Sequence, residues 1–364
     1  MIRVLQIIGS LERGGAETFL INLYRNIDKT KIQFDFVIYS EPSENSYYQE
    51  VKELGGKVFI TTPKSEGILK NFKTIKTIVK ENNYDIVWKH TESCFRALDL
   101  LAAKCGGATR MILHSHSSYA HGIEKLLHYM FRLFIDFFVT DRLACGDMTG
   151  HWMFGRQPFQ MINNGIKIDD FTYDRELREQ YRLEFRFQNK IVIGHVGRFH
   201  PVKNHRWIIN VFEKFKEENS DAILVLVGAG ELMTQMQELT KAKGLEEDVC
   251  FVGSRSDIPQ LLQMMDIFIM PSIYEGFPVT LIEAQAAGLP CVVSSTISKE
   301  VDVTGNMSYV DLDAPVEVWV DQIVQKCGTK KEDNVEYLKA AGYDIKDVAK
   351  KIERNILEMA EKGR

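Results

Sequence analysis

The sequence predicts an α/β protein built from two doubly wound domains. Three observations carry that expectation. Short runs are apolar throughout instead of alternating, helical spacing separates them, and the rhythm occurs in both halves of a 364-residue chain. Strands buried on both faces of a parallel sheet read as continuous apolar runs. Strand–helix units in two series imply two open sheets with helices on both sides.

In the first half the runs are RVLQIIGS (3–10), FDFVIYS (34–40), KVFITT (57–62), DIVW (85–88), RMILHSHS (110–117), the run before Cys145, and FQMINN (159–164). The second half has IVIGHVGR (191–198), AILVLVGAG (222–230), VCFVG (249–253), IFIMPS (267–272) and PCVVSS (290–295). Between them Ile68, Phe72, Ile75, Ile78 and Val79 mark one helical face. The rhythm breaks after residue 166 into a charge-rich stretch without a strand. Residues 1–168 therefore read as an N-terminal domain, 169–189 as a linker and 190–344 as a C-terminal domain. Ile345, Val348, Ile352, Ile356 and Met359 are spaced for one face of a last helix, 345–364, able to cap either domain.

Composition narrows the classes of function. A net charge of −5 argues against a nucleic-acid scaffold, which needs clustered excess Lys and Arg. Residues 1–170 hold 21 basic and 19 acidic side chains, and residues 171–364 hold 24 and 31. The split suits a first half that tolerates an anionic surface, or plain variation between two solvated surfaces. Cys94, Cys105, Cys145, Cys250, Cys291 and Cys327 are scattered, so neither a disulfide framework nor a zinc site is expected. The start of the chain lacks a secretory pattern and no run reaches the roughly 20 apolar residues of a membrane span. A cytoplasmic location follows as the expectation.

Ligands of doubly wound folds bind beyond the carboxyl ends of the strands, so polar residues at those ends are the candidates. GSLERGGAE (9–17) follows the first strand and opens a helix; it is either an anion-facing loop or a tight turn, and it matches no Walker A or dinucleotide fingerprint. GRFHPVKNH (197–205) places Arg198 at a strand end and Lys203 near the next helix, a pair suited to a pyrophosphate. His200 flanks it, and His195 lies mid-strand and should be buried.

PSIYEGFPVTLIEAQAAGLP (271–290) says most. Pro278 suits a first helical position, with Gly288 and Pro290 as stops. Glu275 then lies in the loop before the helix and Glu283 inside it. The amides of Gly276, Phe277, Val279 and Thr280 surround the helix N-terminus, which favours negative charge. Glu283, among Leu281, Ile282 and Ala284, needs a partner, and a vicinal diol such as ribose would satisfy it. His114 and His116 end a strand on one face, so at least one should reach the ligand, His116 being further out. GIEKLLHYMFRLFIDFF (122–138) is apolar nearly all round, fit for packing between neighbours or for docking on a bilayer.

The ordered set GGAE (14–17), SHSS (115–118), NNGI (163–166), GR-x4-KN (197–204), VGAGE (227–231), FVG (251–253) and EGFPVTLIEA (275–284) resembles the retaining nucleotide-sugar glycosyltransferases of family 4, above all the bacterial capsular and exopolysaccharide enzymes. The resemblance covers nearly the whole chain. It implies the GT-B fold, two Rossmann-like domains facing across a cleft, with the C-terminal helix returning to the first. It implies that Arg198 and Lys203 bind the donor pyrophosphate, Glu275 the transferred sugar and Glu283 the ribose. Gly276, Phe277, Val279 and Thr280 would hold donor oxygens, Gly14 and Gly15 would approach the phosphates, and His116 would lie near the reacting sugar. Gly253, Ser254 and Arg255 would frame a base, uracil. The donor is a nucleotide sugar, the acceptor a glycan or lipid-linked glycan with peripheral contact at the inner membrane surface. No metal and no cofactor are expected, and no nucleic acid. An epimerase or a catalytically silent sugar-nucleotide-binding partner on the same architecture are the rival readings. One departure is Lys167 after NNGI, where the family commonly has Asp.

Overall fold

The computed structural model describes residues 1–120 and 122–362. Two compact units result. One comprises residues 1–166 and 342–364, the other residues 167–341. The last two residues of the helix expected over 345–364 lie outside the described residues.

The N-terminal unit holds a seven-stranded sheet. Its strands are β1 (Ile2–Ile7), β2 (Ile32–Ile38), β3 (Val58–Ile60), β4 (Ile86–Thr91), β5 (Arg110–Ser115), β6 (Asp141–Ala144) and β7 (Gln160–Met161). Their order is β3-β2-β1-β4-β5-β6-β7, and every neighbouring pair is parallel. The order reverses beside β1, the arrangement of a doubly wound sheet. Strand pleating sends Val4, Phe34, Phe36, Ile86 and Trp88 to one face, against α1 (Gly15–Asn26) and the C-terminal helix (Ile345–Lys362). Leu5, Ile7, Val37, Val87 and Leu113 go to the other, against helices 64–82 and 98–106. Both faces are covered, which is why these runs carry no polar alternation. α2 (Gly122–Arg132) follows β5 and has His128 as its one buried residue.

The C-terminal helix belongs to this unit. The Ile166 amide donates to the Tyr343 carbonyl and the Ile345 amide to the Ile166 carbonyl, each at 2.9 Å. Ile345, Val348, Ile352 and Ile356 enter the same core as Phe19 and Leu23 of α1.

The C-terminal unit holds β8 (Ile191–Val196), β9 (Ala222–Val227), β10 (Val249–Gly253), β11 (Ile267–Met270), β12 (Cys291–Ser294) and β13 (Met307–Val310). The order is β10-β9-β8-β11-β12-β13, again wholly parallel. β13 is absent from the runs read in the sequence. It is a four-residue edge strand, MSYV, whose Ser308 and Tyr309 are half-buried, so it lacks an apolar run. α3 (His205–Glu218) follows β8, and α4 (Val279–Ala286) follows β11.

The stretch 169–189 corrects the linker expectation. It forms helices Ile168–Phe171 and Arg175–Glu184 inside the C-terminal unit. Arg178 and Arg182 both clasp the Asp266 carboxylate, which also accepts from the Val192 amide at 2.8 Å. Tyr181 donates to Asp257 at 3.0 Å. The charges that suggested a solvated linker are the groups that fix it beneath β8 and β11.

Candidate active site

The C-terminal unit gathers most of the candidates at the carboxyl ends of β8, β9 and β11. β8 ends at Val196, Gly197 and Arg198 follow it directly, and the chain crosses a short turn, Pro201–Lys203, before α3. Asn204, at φ 56°, redirects it into the helix. The Gly197–Phe199 backbone is held by the loop after β9: the Gly197 amide donates to Val227 at 2.9 Å and the Phe199 amide to Ala229 at 3.0 Å. Gly228 stands at φ 138°, and a Cβ there would lie 2.1 Å from the Gly197 carbonyl oxygen. That approach requires glycine; this is the structural content of VGAGE.

The Lys203 ammonium reaches Glu275, Nζ to Oε1 2.7 Å, with 20% and 12% of the two side chains exposed. Residues 72 apart in sequence are thereby joined across neighbouring strand ends. Arg198 behaves differently. Its side chain is 73% exposed, and Nη2 lies 3.4 Å from Oε2 of Glu231, which also has His200 within 3.7 Å. Glu231 closes the VGAGE loop and was not singled out as a candidate. An acid one residue past the second loop glycine was the available signal.

Pro278 is the N-cap of α4, at φ −78°, and the helix begins at Val279, one residue later than expected. Gly276 and Phe277 lie in the preceding loop, and Val279 and Thr280 form the first turn, whose amides have no carbonyl one turn back. Glu283 is in the body of α4 between buried Ile282 and Ala284. Burial alone raises its pKa to about 7. Gly253 ends β10 at φ 69°. Arg255 turns back on its own loop, with two guanidinium nitrogens 2.7 and 2.6 Å from the Asp257 carboxylate, while Ser254 is exposed. His195 is buried, its Nδ1 2.8 Å from the Ile269 carbonyl oxygen.

In the N-terminal unit, Gly14 caps α1 in extended backbone and Gly15 is its first residue. Glu17, in the first turn of α1, folds back so that a Cβ at Gly14 would meet its carboxylate at 2.4 Å. Burial lifts the Glu17 pKa to about 7. The helix N-terminus expected to face an anion therefore has a carboxyl of its own beside it.

β4 and β5 pair with His90 opposite His114. His114 is fully buried, stacked on Trp88 at 5.7 Å and edge-on to Phe19 at 5.8 Å. His116 is the partly exposed one, answering which of the two faces outward. Its Nε2 lies 2.9 Å from Nδ1 of His90, whose Nε2 lies 2.9 Å from Oε1 of Gln6. Burial pushes the His116 pKa down to about 3 and those of His90 and His114 well below the usual histidine range. His90 was missed because the apolar run of β4 stops at Trp88, whereas the strand continues to Thr91.

Two parallel-sheet Rossmann-like units of this topology are those of the GT-B glycosyltransferases. The solved structure of Anabaena Alr3699/HepE in complex with UDP-glucose matches with a TM-score of 0.81 at 18% identity, over 98% of this chain and 100% of that one. The model "Glycosyltransferase Family 4" matches residues 13–170, and "Glycosyl transferases group 1" matches residues 178–311. The chain is 35% identical over 361 residues to "Putative glycosyltransferase EpsF" of Bacillus subtilis (strain 168), covering 94% of this chain and 93% of that protein. It is 27% identical over 242 residues, 62% of each chain, to the UDP-Gal:alpha-D-GlcNAc-diphosphoundecaprenol alpha-1,3-galactosyltransferase of Escherichia coli. The chain belongs to glycosyltransferase family 4.

Proposed function

We propose that this chain moves a sugar, with retention at the anomeric carbon, from a uridine diphosphate sugar to a glycan or lipid-linked glycan during cell-surface polysaccharide biosynthesis. The observation that carries the reading is the Lys203–Glu275 pair at the strand ends of the C-terminal unit, with Glu283 one helix turn and more beyond it. Breaking the bond from sugar to diphosphate builds positive charge on the sugar ring and negative charge on the departing phosphate. Preorganised donors aimed at that negative charge are the largest catalytic term available. Lys203 and Arg198 are those donors, and the reading gives a metal no part in transfer. Glu275, positioned by Lys203, serves the transferred sugar, and the first-turn amides of Val279 and Thr280 serve donor oxygens together with Gly276 and Phe277. Glu283 accepts from the ribose hydroxyls, and Gly253, Ser254 and Arg255 frame the uracil.

The N-terminal unit takes the acceptor, with His116 at the sugar and Gly14 and Gly15 at phosphate oxygens. Retention follows from attack on the face the diphosphate leaves, the departing phosphate oxygen taking the acceptor's proton. The E. coli relative, named for an acceptor on diphosphoundecaprenol, supports a lipid-linked acceptor. So does the surface of α2 and the turn after it, where Ile123, Leu126, Met130, Leu133, Phe134 and Phe137 are exposed. That patch rests on the cytoplasmic face of the membrane. No helix among the described residues is long and apolar enough to cross it.

The test is a thermal-shift panel of nucleotide sugars followed by transfer to candidate acceptors and NMR assignment of the product anomer. A ligand at 100 times its dissociation constant adds roughly 2.7 kcal/mol of stability. Stabilisation by uridine diphosphate sugars and an anomer matching the donor's are expected. Isomerised donor without acceptor, or tight binding without turnover, would sink the transferase reading in favour of an epimerase or a silent partner.

A further inference from the structure

Three histidines meet at the carboxyl ends of β4 and β5. The register sets His90 opposite His114, and His116, two residues on, shares the face of His114. Ring centroids of His114 and His116 are 4.1 Å apart, and those of His90 and His116 5.1 Å. One ring nitrogen from each lies within 4.8 Å of those of the other two.

The nitrogens of this cluster are poorly provided for. Both nitrogens of His114 and Nδ1 of His116 are buried without a hydrogen-bond partner. Buried polar atoms left without a partner are costly, and a bound ion would satisfy those that ligate it. Phe19 and Trp88 wall the group with their aromatic rings. One nitrogen is held from outside, the His90 Nε2 that faces Gln6 Oε1 at 2.9 Å. An Nε2–H donated to that oxygen leaves the His90 Nδ1 lone pair turned into the cluster. Histidines that ligate metals are oriented in this way, by a carbonyl or carboxylate taking the other ring proton.

We propose that His90, His114 and His116 bind a single zinc-type ion, with the fourth position open to water at the partly exposed His116 edge. Three imidazoles and one open position are a known zinc set. Zinc–nitrogen bonds of 2.0–2.1 Å place tetrahedral ligand nitrogens about 3.3 Å apart, so the rings close on the ion by modest rotation. The ion is no part of transfer as proposed above. It captures His116, so its occupancy opposes transfer. That consequence rests on the sugar-side role of His116, whereas binding itself does not.

The experiment titrates chelator-stripped, full-length protein with cobalt and reads the visible absorption of a tetrahedral ion, then displaces cobalt with zinc. One ion per chain is expected. His114→Leu and His90→Gln should weaken binding at least about tenfold, and His151→Ala, at an exposed histidine of another helix, should leave it unchanged. Should a core variant lose its circular dichroism spectrum, His116→Gln at the edge of the cluster takes its place. Absence of binding by folded wild-type protein at about 100 µM ion, or undiminished binding by the cluster variants, overturns the proposal. Transfer assayed in excess chelator reports separately on the transferase reading. Activity there with inhibition by stoichiometric zinc is the expected pattern, and metal binding without any transfer would indict the transferase reading alone.

Discussion

Lys203 and Glu275 form an ion pair of 2.7 Å that ties the turn after β8 to the loop entering α4. Each side chain is four-fifths or more buried, so neither charge is well served by water. An ion pair this dry contributes little net stability, but breaking one side leaves the other charge uncompensated. Its value lies in placing an ammonium and a carboxylate at fixed positions before a ligand arrives.

Arg198→Ala and Lys203→Ala should separate in stability while agreeing in activity. Arg198 is mostly exposed, and its loss should alter unfolding by no more than about 0.5 kcal/mol. Lys203→Ala removes the ammonium from the Glu275 carboxylate and should cost more, about 1–3 kcal/mol. Both should lower turnover at least about a hundredfold, the scale of losing one preorganised donor. Urea unfolding and steady-state transfer assays read the two effects; near-normal turnover in both variants would remove the diphosphate role.

Glu283 gives a pH dependence of definite sign. Its pKa in the folded chain is raised from 4.5 to about 7 by burial, so the carboxyl is protonated below about pH 7. Under the proposed ribose role the ionised form is the one that accepts the two hydroxyls, and binding should therefore release a proton. Affinity for a uridine diphosphate sugar should rise as pH rises to about 7 and level off above it. Glu283→Gln should flatten that profile. A wild-type affinity that falls across the same interval would contradict the ribose assignment.

Asp266 tests whether 167–189 is structure or tether. Its carboxylate receives Arg178, Arg182 and the Val192 amide. Asp266→Ala leaves two half-buried guanidinium groups facing each other and should destabilise the C-terminal unit by about 3–5 kcal/mol. Limited proteolysis should then cut within 169–189, where the wild-type chain resists. Equal protease sensitivity in both proteins would restore the linker reading.

The core of the N-terminal unit makes a parallel claim about the last helix. Ile352 is 2% exposed, within the cluster that contains α1. Ile352→Ala should cost about 2–5 kcal/mol by chemical denaturation. A change below about 0.5 kcal/mol would mean the helix adds nothing to this core.

The doubly wound order was legible because both sheets are buried on two faces, so twelve of their strands surface as apolar runs. β13 escaped for the opposite reason, being short, half-polar and at an edge. Residues 169–189 misled because charge density looks the same whether arginines face water or clasp a half-buried aspartate; only the partner, Asp266, 88 residues after Arg178, decides. Glu275 and Lys203 were each identifiable from strand ends and helix signals, but their pairing depends on β8 and β11 being neighbours. His90 needed the β4–β5 register, which no local pattern gives, and Glu17 needed the fold-back of its own side chain.

The most direct measurement is calorimetric titration of the full-length protein with UDP-glucose, alongside Lys203→Ala and Glu283→Gln. Saturable binding by the wild-type chain at one site, weakened at least about tenfold in each variant, is the expected result. No binding of any uridine diphosphate sugar by folded protein, or equal affinity in all three, would contradict the assignment of these residues to a nucleotide-sugar donor.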